Sequence, residues 1–156
     1  MLEEPELAGI GKKLLFPSRS HIGVAFLITL QKDGAPRLHP VSLVYHYDRL
    51  YVLIPPTSPK CSDLKCDGRY ALQACPPQNN AEIEEFYIAR RAEWIQDATI
   101  RQALISDTKI RVEVSKVLFE LYLERVMYTR LINRGTPSEY PLHRKLCVMS
   151  NYGKSQ

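Results

Sequence analysis

Ser58, Pro59 and Lys60 are the residues whose types and spacing are best suited to bind an anion. Serine is a preferred helix N-cap and proline suits the first helical position, so the three residues predict the start of a short helix. A helix N-terminus presents unpaired N–H groups and a positive dipole end, to which Lys60 adds a full charge. The pattern is typical of a phosphate site, although a plain helix cap with a solvated lysine uses the same residues.

A second group of candidates precedes this helix, around Pro40. Arg37 could supply another positive charge, or it could be an exposed arginine at a strand end. His39 could act as a general base or contact a ring, because its unperturbed pKa lies near neutrality, or it could be a half-buried strand histidine. Pro40 lacks a backbone donor, so its strand must lie at a sheet edge or be bulged near residues 39–41.

Other chemistries have little support in this sequence. No G-x-S-x-G nucleophile motif is present, and none of the four cysteines lies in a protease-like context. The nearest cysteine pair, Cys61 and Cys66, is five residues apart, which does not suit a zinc site, so we expect no metal. We expect these two cysteines to be packing residues.

Charge and hydropathy exclude two classes of partner. Lys and Arg number 21 against 17 Asp and Glu, and no basic run exceeds two residues, so we expect no nucleic-acid partner. No apolar stretch approaches the ~20 residues of a membrane span, and residues 1–6 lack the basic start of a signal peptide. We therefore expect a cytoplasmic protein with reduced cysteines and no membrane partner.

The elements that must position these residues are mostly strands. The 156 residues suit a single domain, residues 1–156. Residues 1–20 are predicted to form a helix (3–15) and lead-in, and residues 134–156 an irregular tail. Further helices are predicted over 59–66 and after Asp97, and strands over 23–30, 36–45, 49–54, 69–75, 81–95, 117–123 and 126–132. Without regular βαβ alternation, these elements favour an antiparallel barrel with peripheral helices.

Two segments in register resemble a known family. FLITLQKDGAPRLHPVSLVY and RLYVLIPPTSPKCSDLKCDGRYAL are similar to the corresponding segments of the FMN-binding split-barrel family typified by pyridoxamine 5'-phosphate oxidase. The shared pattern is a D-G-x-P turn, an R-x-H-P-V-like strand and an S-x-K-x-x-x-L helix start. It covers residues 23–72 well and the remainder more loosely.

The resemblance implies a mainly β protein, a six-stranded antiparallel split barrel that forms a homodimer with flavin at the interface. It assigns Lys60, Ser58 and Arg37 to the FMN phosphate. It places the backbone of His39, Pro40, Val41 and Ser42 along the flavin ring. Ser42 and Ile54 align approximately with cofactor-contacting positions, and His39 is the one candidate proton donor.

Departures from the family pattern bear on the reaction. Ser42 stands where the oxidase has a lysine, and Leu146 where some relatives have tryptophan. The resemblance therefore favours an FMN-dependent oxidoreductase with another small-molecule substrate over vitamin B6 oxidation. The alternatives are a non-enzymatic flavin-binding or redox-sensing protein, and a deazaflavin- or haem-binding member of the same fold. Haem would need an axial ligand from His39, His46 or His143.

Overall fold

Eight antiparallel strands and three helices build the protein in a computed structural model, which describes residues 5–18, 20–74, 83–110 and 115–147. The helices are α1 (Pro5–Leu15), α2 (Pro59–Cys66) and α3 (Ala98–Thr108). The strands are β1 (Ile22–Leu30), β2 (Pro36–His46), β3 (Arg49–Ile54), β4 (Arg69–Ala74), β5 (Glu84–Ile95), β6 (Val117–Leu121), β7 (Arg125–Ile132) and β8 (Tyr140–Cys147).

Six of the strands close into a barrel. The sheet order is β4-β1-β2-β3-β6-β5-β7-β8, and an additional pairing of β4 with β5 joins the first six strands into a ring. Strands β7 and β8 continue the sheet outside the barrel from β5. The prediction of a mainly β, six-stranded antiparallel barrel with peripheral helices is confirmed.

Alternation along β1 shows how the barrel forms its core. Ala25 and Leu27 point inward and are fully buried, whereas Val24 and Phe26 point outward and are 52% and 37% exposed. A nearly unbroken apolar run such as 23–30 is typical of a strand covered on both faces, but in β1 only the inner face is covered by the described residues. The outer face of β1 is thus an exposed apolar surface.

Helix α1 packs against the barrel by means of a glycine. A Cβ atom added at Gly11 would clash with the Phe86 ring, which is itself in the core, so the absent side chain permits the close approach. None of the helices in the described segments is long and apolar enough to cross a membrane.

Some sequence predictions need correction or fall outside the described residues. Residues 134–156 were expected to be irregular, but 140–147 form β8 on the edge of β7. Cys66 is exposed, so the packing role expected of Cys61 and Cys66 holds for Cys61 alone. Residues 3–4 of the first predicted helix, 75 and 81–82 of the predicted strands, and 148–156 of the predicted tail lie outside the described residues.

Candidate functional site

The barrel is split between β2 and β3. The two strands pair over only four rungs, and the ladder ends where Leu43 lies opposite Val52. Continuing the register would set Ser42 opposite Leu53 and Val41 opposite Ile54, but these residues form no further rungs. Three of the residues predicted to contact a cofactor, Val41, Ser42 and Ile54, therefore lie where the strands separate.

Beyond this point β2 has an open backbone edge. The Tyr45 N–H donates to the His21 carbonyl. In an antiparallel pair every second residue of a strand forms its backbone hydrogen bonds with the neighbouring strand. The odd-numbered residues of β2 therefore bond to β1. Leu38 and Pro40 consequently direct their backbone groups away from β1. Over residues 36–41 no strand in the described chain pairs with that side of β2. The open edge thus offers backbone donors and acceptors to a ligand.

Pro40 fits this edge without distorting the strand. The register between β1 and β2 is continuous from Ile22 opposite Val44 to Leu30 opposite Pro36, so the strand carries no bulge. The missing N–H of Pro40 faces the open side, where it breaks no ladder bond. Of the two alternatives that the sequence left open, a strand edge or a local bulge, the structure has the strand edge.

Arg37 lies in a hydrogen-bonded network with helix α2. Its Nε donates to Asp63 Oδ2 at 2.9 Å, and its guanidinium also donates to Gln31 Oε1 at 2.8 Å. The same Asp63 oxygen accepts from the fully buried Thr29 hydroxyl at 2.8 Å. Arg37 is therefore close to a carboxylate that compensates its charge, which weakens it as an anion ligand.

The positive charge at the start of α2 is less compensated by carboxylates than the charge of Arg37 is. Ser58 is the N-cap, but its side chain makes no capping hydrogen bond, so the hydroxyl is not used to hold the helix. Pro59 occupies the first turn, as predicted. Lys60 is partly exposed and forms no ion pair with a described carboxylate. Ser58 and Lys60 are thus available to an anion at the helix N-terminus.

The His39 ring is within electrostatic range of both Lys60 and Arg37. Burial, and then the positive charges of Lys60 and Arg37, lower the pKa of its ring below the ordinary value of 6.5. Its Nε2 atom is buried and has no hydrogen-bond partner. The ring is therefore neutral at pH 7, so as a proton donor it would have to act from its uncharged form.

The remaining predicted residues differ in what they can offer. The Val41 and Ile54 side chains are in the core, at 7% and 0% exposure, so only their backbone could contact a ligand. Ser42 is exposed, beside the end of the ladder. The other two histidines named as candidate haem ligands are engaged, since His46 Nε2 lies 3.0 Å from Asp107 and His143 Nδ1 lies 2.9 Å from the Thr129 hydroxyl.

Sequence reasoning missed Asp63, Thr29 and Gln31. Asp63 lies one turn after Lys60 in the predicted helix, on a face that packs on β1, and a buried carboxylate there requires a basic partner. An acidic residue on the barrel-facing side of a short helix was the sequence feature that could have indicated this buried carboxylate. Its partner could not be named without knowing which strand the helix covers.

Comparison with known proteins gives structural matches only. Neither a model of a protein family nor a curated protein matches the sequence. The heme-binding protein of Mycobacterium smegmatis matches with a TM-score of 0.65 at 13% identity, over 94% of this chain and 60% of that one. The heme storage protein HutZ of Vibrio cholerae matches with a TM-score of 0.60 at 16% identity, over 80% and 92%. A provisionally assigned pyridoxamine 5'-phosphate oxidase of Listeria innocua matches with a TM-score of 0.59 at 15% identity, over 78% and 95%.

The chain has the split-barrel fold. The resemblance predicted from the sequence is confirmed at the level of the fold, which this chain shares with pyridoxamine 5'-phosphate oxidase-like proteins. The chain spans less than two thirds of the length of the M. smegmatis protein. These split-barrel neighbours include heme-binding proteins as well as an assigned oxidase, so the fold by itself does not determine the function.

Proposed function

We propose that this split-barrel protein is an FMN-binding oxidoreductase that acts as a homodimer on a small-molecule substrate. The observation that carries the proposal is the open edge of β2 beside the uncompensated start of α2. A flavin mononucleotide combines a phosphate with a flat ring whose edge carries hydrogen-bonding groups. The helix start suits the phosphate, and the strand edge suits the ring.

The residues of this chain would divide the binding between them. Lys60 and the Ser58 hydroxyl would hold the phosphate, with helix N–H groups behind them. Arg37 would contribute less, because Asp63 already accepts its Nε–H. The backbone of residues 38–42 would orient the ring along the strand edge. When bound, flavin supplies the hydride or electron transfer, and the protein supplies orientation and electrostatics.

The neutral His39 ring would stay in place beneath this site. Its low pKa keeps a third positive charge away from Lys60 and Arg37 at neutral pH. It would therefore help to exclude water and would have at most an uncharged N–H to offer a reacting group.

An exposed apolar face supports the homodimer. Val24, Phe26 and Leu38 are 52%, 37% and 62% exposed, and the register of β1 with β2 puts all three on the outer side of the barrel. Large apolar side chains gathered on one face mark interaction surfaces. Leu38 and Pro40 belong both to this face and to the open edge, so a second copy seated here would cover a flavin at the edge.

A flavin titration tests the cofactor. Purified chain is freed of ligand and titrated with FMN while flavin fluorescence is followed. We expect saturable quenching at one FMN per chain, and an affinity about tenfold weaker in Lys60→Gln, because a charged hydrogen bond to phosphate is lost. Lys13→Gln, which removes a charge from the exposed side of α1, is the matched control and should not change the affinity.

Three results would count against FMN as the cofactor. Absence of saturable FMN binding would refute it, as would equal affinities for the wild type and Lys60→Gln. If the chain bound hemin, seen as a Soret band, or a deazaflavin and not FMN, that compound would be the cofactor.

Sedimentation velocity tests the homodimer, which we expect to dissociate in Val24→Glu. A monomeric wild type would contradict the shared site.

A further inference from the structure

A pocket lies at the C-terminal end of α2, away from the open strand edge. Its volume is about 430 Å³, within the ~300–1,000 Å³ typical of small-molecule sites. The last turn of α2 supplies Lys65, and β5 supplies Arg91 and Trp94. Because a helix rises ~1.5 Å per residue, Lys65 lies ~7.5 Å along the axis from Lys60. The proposed flavin site uses none of these pocket residues.

The pocket walls are positively charged. Arg90 Nε lies 3.6 Å from the Glu124 carboxylate, and Glu93 adds one negative charge to the pocket lining. Neither Lys65 nor Arg91 lies within ion-pairing distance of a carboxylate in the described part of the chain. Three basic and two acidic groups leave a net positive charge of about one, concentrated on Lys65 and Arg91.

The β4–β5 ladder adds to the positive potential. Arg69 lies directly opposite Arg91, and like charges in that position repel each other. Asp67 is engaged with Arg69, at 2.6 Å, and that contact holds the pKa of Asp67 at about 2, so it is fully ionised at neutral pH. The hydrogen bonds of Asp67 go to Arg69, whereas Arg91 acts on Asp67 only through a longer-range Coulombic attraction, so the N–H donors of Arg91 stay available to the pocket. An anion bound there would reduce the repulsion between the two arginines.

An aromatic surface completes the pocket. Trp94 is 43% exposed, although tryptophan side chains are on average highly buried. The Lys65 ammonium lies 3.8 Å from the centroid of its ring, a cation–π contact that holds the lysine at the pocket. Tyr122 contributes a second ring to the lining. Positive charge and exposed aromatic surface are therefore combined within one small cavity.

We propose that this pocket binds a small aromatic monophosphate, with the phosphate on Lys65 and Arg91 and the ring against Trp94. Two cations that form no ion pair with a carboxylate of the described residues match a phosphate dianion. The indole offers the ring a stacking or edge contact. The proposal does not depend on flavin binding, since it uses other residues at the other end of the helix.

The chain's single tryptophan makes the test specific, because Trp94 fluorescence reports on this pocket alone. The probe is adenosine 5'-monophosphate, compared with adenosine and with inorganic phosphate. We expect a saturable fluorescence change with the monophosphate and at least about tenfold weaker binding of either half. Lys65→Gln and Arg91→Gln should each weaken binding by about tenfold, whereas Lys13→Gln and Lys60→Gln should leave it unchanged.

Alkylation of Cys66 provides a readout that does not use the tryptophan. Cys66 is exposed and lines the pocket, whereas Cys61 is buried. The monophosphate should slow the reaction of Cys66 with iodoacetamide, measured by peptide mass spectrometry, in the wild type but not in Arg91→Gln. The proposal is overturned if the monophosphate changes neither signal, if the Lys65 and Arg91 variants bind as the wild type does, or if Lys60→Gln alone abolishes binding.

Discussion

Asp63 is the residue whose replacement perturbs the charged network at the barrel end most directly. Its side chain is 9% exposed, and its Oδ2 atom accepts from the Thr29 hydroxyl at 2.8 Å and from Arg37 Nε at 2.9 Å. Asp63→Ala leaves a fully buried hydroxyl without its acceptor. It also leaves the Arg37 guanidinium with Gln31 as its remaining protein partner in the network. We expect the variant to fold but to be markedly less stable.

The size of the loss follows from these contacts. A hydrogen bond to a charged group contributes about 1.5–3 kcal/mol, and breaking a buried ion pair on one side costs about 3–5 kcal/mol. The Arg37 side chain is 30% exposed, so water recovers part of that cost. We therefore expect the free energy of unfolding to fall by about 3 kcal/mol in Asp63→Ala. Asp63→Asn retains an oxygen for Thr29 and should lose about 1–2 kcal/mol.

Urea unfolding measures both losses, as a shift of the midpoint at unchanged slope. The control is Asp67→Asn, which removes an equivalent charge from an exposed pair with Arg69 and should shift the midpoint much less. If Asp63→Ala shifted the midpoint no more than the control, the Thr29–Asp63–Arg37 network would not stabilise the fold. The assignment of Asp63 as the partner that compensates Arg37 would then be refuted.

Two further predictions concern packing and pH. Gly11→Ala should cost about 1–3 kcal/mol because the new methyl clashes with Phe86, whereas Gly9→Ala, with open space around it, should stabilise α1 by about 0.5–1 kcal/mol. Urea unfolding measures the stability of both variants, and equal changes in the free energy of unfolding would contradict the expected clash at Gly11. Since burial and Lys60 lower the pKa of His39, the folded state binds fewer protons than the unfolded state just below pH 6.5. Stability should therefore fall as the pH drops through that range, and His39→Asn should reduce this fall; an unchanged pH profile would be the contrary result.

The sequence predicted the barrel well because most strands carry strong local signals. The apolar run within 22–30, followed by the Asp33-Gly34 turn, predicts a hairpin, and Gly34 does adopt a positive φ of 86° there. The Ser58-Pro59 helix start was equally local. Strand β8 was missed because its described side chains are mostly exposed and it contains Pro141, so no core-facing alternation marks it. Its stability comes from pairing with β7.

The candidate site was predictable in its residues but not in its interactions. Ser58, Lys60 and Pro40 could be chosen from local chemistry and from the family resemblance. The contact between Arg37 and Asp63 could not be predicted, because the two residues are 26 positions apart and meet only when α2 packs on β1. The same holds for the burial of Val41 and Ile54, which depends on where β2 and β3 separate.

A crystal structure of this chain in complex with FMN is the decisive test of the proposed flavin site. We expect the phosphate at Lys60 and the Ser58 hydroxyl, the ring along the backbone of residues 38–42, and a second chain packed on the face that contains Val24 and Phe26. Flavin bound elsewhere, with Lys60 in solvent and the edge of β2 free of ligand, would contradict the proposed site.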